Sequence, residues 1–236
     1  MKAILHLNRT VTWILALCAS TLSAQSSLPL DGRLLSPGVD TFAVTYGGQL
    51  IGHSIQTTDS STDAGSRVWR QTYVFDGAGG DVSTDTLIMD RVTLRPLREA
   101  RVSSAGRFAF RFEGNQVEVT ELSDARAASV RRVSLTQPAY SSATLDAIVR
   151  ALPLKLGMTA EVDLYYPPPA RRGAVRVTAR VTREDEIVLR QGNTQPAWVV
   201  VIGAPGEATT FWISKDTRRL LQFDTQEGSA TIEFRR

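Results

Sequence analysis

The chain has 236 residues, with 27 Lys and Arg against 24 Asp and Glu and a formal net charge of +3. Cysteine occurs once, at Cys18, and histidine twice, at His6 and His53. These counts exclude a disulfide framework and a Cys/His zinc site, and the near balance of charge excludes a general attraction to nucleic acid.

The first element is residues 1–24. Lys2 and Arg9 give a basic start, an apolar run follows from Val11 to about Leu22, and small residues close it at Ser23-Ala24. This is the layout of a secretory signal peptide, with cleavage expected after Ala24. The run is shorter than the about 20 apolar residues that span a bilayer, so no transmembrane segment is expected after cleavage. Cys18 follows Leu17 in mid-run and reads as an ordinary signal residue, not a lipid anchor. Without Lys2 and Arg9, 25 basic residues face 24 acidic ones over 212 residues, a length suited to one all-β domain. Residues 25–40, rich in Ser, Pro, Gly and Leu and without a period, read as a loose leader, and 41–236 as a single β-rich domain.

From Thr41 onward the pattern has period two, the mark of half-buried strands. Strands are expected at 41–46, 49–58, 66–75, 82–93 and 97–104. Phe108, Phe110 and Phe112 then alternate with Ala109 and Arg111. Further runs fall at 115–122, 126–135, 158–165, 175–182, 186–191, 197–203, 207–214, 218–226 and 231–235. Asp76 to Gly80, Glu113-Gly114-Asn115 and Glu227-Gly228 are turn sequences. Pro167-Pro168-Pro169 reads as a rigid connector, because proline has no N–H for a ladder. One segment departs from period two. In 141–152, Leu145, Ile148, Val149 and Leu152 fall on one helical face, Ser141 or Ser142 can cap the start, and Pro153 stops it. A helix of three turns is unstable alone, so its stripe must pack on a sheet. The predicted fold is all-β: a curved antiparallel sheet or unclosed barrel with one short packed helix.

Little in this chain reads as chemistry. A Ser-His-Asp set would have to use His53, which sits on a predicted strand, and no G-x-S-x-G elbow occurs. Glu184-Asp185-Glu186 reads as a solvated turn. Asp81, Asp85 and Asp90 lack the order of a calcium loop, and the Gly47-Gly48…Gly52 cluster precedes a strand, so it is a turn or bulge and not a phosphate cradle. No catalytic residue, metal or cofactor is expected. The aromatic residues offer a sharper alternative. Trp69 and Tyr73 share a strand face with Phe75, and Phe108, Phe110 and Phe112 share another. Core packing is the ordinary role of such residues, but a half-open barrel can present them to an apolar ligand. Trp212, out of phase with Phe211 and Ile213, is the best single candidate for a surface or cavity contact.

Taken in order, several segments resemble a family of exported bacterial proteins known as domain-of-unknown-function family 3108. They are Phe42-Ala43-Val44-Thr45-Tyr46-Gly47-Gly48 with Ile51-Gly52, and Asp90 with Thr93-Leu94-Arg95-Pro96-Leu97-Arg98. Leu145 to Leu154 with Gly157 and Thr210 to Leu220 complete the set. The chain departs from that pattern at Leu220-Leu221, where members carry a proline, and at Gln195-Pro196-Ala197-Trp198. The resemblance implies a strongly curved antiparallel sheet with a helical segment, similar to the envelope lipoprotein carriers. It implies no catalytic residues. The expected function is that of an exported, non-enzymatic protein of the bacterial periplasm or exterior, binding an apolar or lipid-like ligand. Trp212, Trp69, Tyr73, Phe108, Phe110 and Phe112 are its candidate contacts. A module that docks another envelope protein is the main alternative, and a hydrolase with an unrecognised site the third.

Overall fold

Alternation along the chain produces one continuous sheet. The computed structural model describes residues 28–122, 128–167, 173–189, 192–204, 207–227 and 229–236. The segment read as a signal, Pro168-Pro169 and Gly228 lie outside them. The strands are β1 (Gly38–Tyr46), β2 (Gln49–Asp63), β3 (Ser66–Gly77), β4 (Val82–Asp90), β5 (Pro96–Ser103), β6 (Gly106–Glu113), β7 (Gln116–Leu122) and β8 (Ser129–Ser134). After them come β9 (Tyr140–Ser141), β10 (Thr159–Tyr166), β11 (Gly173–Val188), β12 (Thr194–Ala204), β13 (Glu207–Ser214), β14 (Leu220–Glu227) and β15 (Ala230–Arg235). They form a 15-stranded sheet in the order β8-β7-β6-β5-β4-β3-β2-β1-β15-β14-β13-β12-β11-β10-β9. Every pairing is antiparallel except the short one of β9 with β10. The all-β expectation holds: the sheet curls without closing on itself.

Turn chemistry sets the register as the sequence suggested. Gly47 and Gly48 both have positive φ, 56° and 84°, which a two-residue hairpin of the mirror-image type requires. At Gly52 the ladder skips a residue, pairing Val44 with Gly52 and Thr45 with Leu50. A Cβ at Gly52 would lie 2.3 Å from the Asp76 carbonyl oxygen, so the bulge needs glycine.

The helix, α1 (Leu145–Ala151), follows a 3₁₀ turn over Ser142–Thr144. Ser141 caps that turn, its hydroxyl accepting from Ala143 N–H at 3.2 Å. The sequence reading gives the helix one apolar face, but Asp146 and Arg150 are buried along with Ala147, Ile148 and Val149. The element lies inside the curl, against Trp69, Leu87, Met89 and Leu94 from one half of the sheet and Val162, Val181, Ile202, Phe211 and Ile213 from the other. The segment read as a loose leader is partly packed. Leu28, Leu30 and Leu35 join this core, and Asp31 N–H donates to Ala151 O at 3.0 Å, at the helix C-terminus.

Two further differences concern the second half. Residues 175–188 form no pair of strands around an acidic turn, because β11 runs unbroken to Val188; residues 190 and 191 lie outside the described residues. Glu184 pairs with Trp198 and Asp185 with Ala197. The turn lies instead after Leu189, whose N–H donates to Asn193 O at 2.9 Å. At the two ends of the sheet, Phe110, Val117 and Val119 pack on Leu135, Ala139 and Tyr165. Phe112 meets Tyr165 edge-on, with ring centroids 6.0 Å apart. Side chains bridge this seam where a closed barrel would have a ladder.

Candidate ligand-binding cavity

Inside the curl, beside the helix, the sheet leaves a cavity of about 330 Å³ that opens to solvent. Strand alternation and pairing decide what lines it. Register puts Phe42 opposite Ser54, Ser54 opposite Phe75, and Phe75 opposite Ser83. The next inward row pairs Gln56 with Tyr73 and Tyr73 with Asp85. Across the cavity, β13 to β15 contribute Phe211, Phe223 and Phe234, with Thr209 and Thr225 nearer the rim. Phe223 stacks between Phe211 at 5.7 Å and Phe234 at 3.8 Å, and its edge meets Phe42 at 6.2 Å. Ser142, Ala143, Leu145 and Asp146 line it from the helical segment. The cavity thus has an aromatic wall, and facing it a wall of serines, Gln56, Tyr73 and Asp85.

Asp146 organises the polar side. Its carboxylate accepts from the Tyr73 hydroxyl and from Gln56 Nε2, and from Gln71 Nε2 at 3.1 Å. Arg150, one helical turn on, places Nη1 3.7 Å from the same carboxylate. Arg150 also donates from Nε to Arg218 O at 2.9 Å, and Arg218 Nη1 returns to Leu152 O at 2.7 Å, which ties the helix C-terminus to the β13–β14 turn. Three hydrogen bonds and a nearby cation satisfy the buried carboxylate, while Arg150 Nη1 itself has no hydrogen-bond partner among the described residues. Burial, with the Asp146 charge beside it, holds the Tyr73 hydroxyl well above its ordinary range, so it stays a neutral donor.

A second set lies one strand away. Arg101 Nε stands 3.2 Å from Asp85 Oδ1, and its Nη2 donates to Glu99 at 3.1 Å. Ser141 donates to the other Glu99 oxygen. Burial pushes both carboxyls up, while Arg101 pulls both down, helped at Glu99 by the Ser141 hydroxyl. Among the described residues, no group of three or more metal-ligating side chains is brought together. Asp90, far from Asp85, instead accepts from Val92 N and Thr93 N in the β4–β5 turn.

The outer face carries a hollow of about 310 Å³ over β4 to β7, along Thr86, Ala100, Ala109 and Thr120. Its charged rim is paired along the surface, Arg111 with Glu113 at 2.8 Å and Arg132 with Glu118 at 3.2 Å. Arg98, Arg111 and Glu118 lie side by side at one end of it, on neighbouring strands.

The sequence-selected aromatic residues separate on this fold. Tyr73 lines the inner cavity. Trp69 does not: it is 1 % exposed, and its indole donates to Gly32 O at 2.9 Å. Phe108, Phe110 and Phe112 belong to the seam, where Phe108 stacks on Phe110 at 6.4 Å. Trp212 lies on the outer face in a separate cluster with Ala197, Val199 and Leu221, its indole donating to Asp185 at 3.2 Å. That face follows from its phase, opposite to Phe211. His53 is exposed.

The family described as proteins of unknown function DUF3108 matches residues 41–235, nearly all of the described domain. The chain belongs to the DUF3108 family. In this DUF3108 chain the segments that carried the resemblance meet around the helix: Leu94 is fully buried against it, and Arg218 caps it from the β13–β14 turn. Among solved structures, a beta-barrel-like protein of the DUF1849 family from Brucella abortus has a similar fold. The TM-score is 0.54 at 12 % identity, covering 85 % of this chain and 95 % of that one. No curated protein matches.

Gln56, Asp85, Asp146 and the Phe211-Phe223-Phe234 stack were not among the sequence-selected contacts. A signal exists for Asp85, which is in phase with the buried Leu87 and Met89 on β4; Gln56 gives none, because the buried residues in its phase on β2, Ser54 and Thr58, are themselves polar. Asp146 gives none, since an Asp and an Arg four apart normally mark a solvated helix face.

Proposed function

We propose that this DUF3108 chain is an exported, non-enzymatic protein that holds a small apolar or lipid-like ligand in the inner cavity. The observation that carries this reading is the cavity itself: about 330 Å³, one wall of stacked phenyl rings, and converging polar groups opposite. Ligand sites are concave, largely apolar, and carry a few placed polar groups. The basic start and apolar run of residues 1–24 support export. The acids near the cavity are engaged by Arg101, Arg150, Tyr73 and glutamine amides, which suits positioning better than proton transfer.

Native mass spectrometry of the protein taken from a bacterial envelope fraction, followed by solvent extraction, tests the reading. The expected result is a reproducible mass excess that extracts as an apolar compound and is lost in Phe223→Ala. A clean apo mass, unchanged after incubation with envelope lipids, overturns it. N-terminal sequencing of the same material tests export, which predicts a start at Gln25.

A further inference from the structure

The polar groups of the cavity differ in how fully they are occupied. Asp146 is saturated by its hydroxyl, amide and guanidinium neighbours. Asp85 is not. Its Oδ1 faces Arg101, its side chain is 27 % exposed on the cavity wall, and among the described residues Oδ2 has no hydrogen-bond partner. Among the described residues the lining holds two carboxylates and no lysine or arginine. Two cations lie beside it, Arg101 between Asp85 and Glu99 and Arg150 near Asp146 and bonded to Arg218 O, so three carboxylates share two guanidinium groups, in which Arg101 Nε and Arg150 Nη1 have no hydrogen-bond partner. An anionic head group placed here would add a fourth acid to a set that two guanidinium groups already share, and an uncompensated charge in such a place is costly. A cation would meet an open carboxylate oxygen, with the Phe75 and Tyr73 rings also on the lining, and carboxylates and aromatic rings both attract ammonium groups.

We infer that the ligand is an amphiphile whose polar end is a protonated amine, seated on the free oxygen of Asp85, with its apolar body against the Phe211-Phe223-Phe234 stack. This rests on the ligand-binding reading above and adds the charge of the head group. Burial holds the Asp85 carboxyl up, and a bound ammonium acts in the same sense as Arg101, favouring its ionised form.

Calorimetric titration of the purified protein with decylamine, decanol and decanoate near neutral pH, below their aggregation limits, tests the assignment. Decylamine is expected to bind at least tenfold more tightly than decanoate and more tightly than decanol, with decanol competing for the same site. In Asp85→Asn, decylamine should lose its advantage over decanol measured on the same variant. Decanoate binding as tightly as decylamine, amine binding that decanol does not displace, or an amine preference intact in Asp85→Asn overturns the inference. If Asp85→Asn does not fold, the ranking on the unaltered protein decides. Failure of all three probes overturns the ligand-binding reading as well, whereas decanol binding without an amine preference overturns the amine assignment alone.

Discussion

The two walls of the cavity belong to one sheet and obey one alternation, yet they are built differently. The wall from β13 to β15 is held by ring stacking, with Phe223 at its centre. The wall from β2 to β4 is held by hydrogen bonds that converge on Asp146 of the helix. The first wall gains from the area it removes from water and tolerates changes of shape. The second gains little net energy from each bond but loses heavily when one member is removed. A cavity with both can fix a ligand's orientation on one side and accept variation on the other.

The largest test of that difference is Arg150→Ala. It leaves Asp146 buried without its cation and should cost about 3–5 kcal/mol, read as a lowered urea midpoint. Phe223→Ala and Trp212→Ala form the next pair, each expected to cost about 3 kcal/mol, the low end for large aromatic truncations. They separate by function: Phe223→Ala should abolish ligand uptake, and Trp212→Ala, on the outer face, should leave it unchanged. Tyr73→Phe removes one donor from the Asp146 carboxylate and should cost about 1–2 kcal/mol, and it makes the polar wall more like the aromatic one. The smallest effect is a slope. Glu99 is pushed up by burial, so the folded state holds its proton more tightly than the unfolded chain. Its contribution to stability is therefore greatest in acid and is lost as pH rises through the folded pKa. The stability of Glu99→Gln relative to the unaltered protein should rise as pH climbs above the ordinary glutamate value of about 4 and level off once the folded-state carboxyl is ionised, as followed by thermal melts.

Much of the fold is legible in the sequence because period two is a local property. Phe108, Phe110 and Phe112 announce β6, and Gly47-Gly48 its kind of turn between β1 and β2. The long β11 was not legible. Beyond Val181 it leaves the main core: Arg183, Glu184 and Glu186 are exposed, and pairing with β12 keeps them extended while Ile187 packs on the outer Trp212 cluster. Such a hairpin arm is fixed largely by ladder hydrogen bonds, which leave little hydrophobic period. The polar wall was illegible for the opposite reason. Asp146, Arg150, Gln56 and Gln71 satisfy one another across elements up to 90 residues apart, and each looks solvated when read along the chain. Tyr73 was found as an aromatic residue, although its hydroxyl is what joins the network.

The seam between the ends of the sheet has a consequence for what the interior can hold. In a closed barrel the strand number and stagger fix the girth, so the enclosed volume is a property of the hydrogen-bond ladder. Here the last link of the circumference is Phe112 against Tyr165, with Leu135 and Ala139 between the edges. Widening the curl there separates apolar side chains and pulls on the Ser141–Glu99 hydrogen bond, but breaks no backbone pair. The girth of this protein is thus an elastic quantity, and guests of different cross-section cost it contact area, not strands.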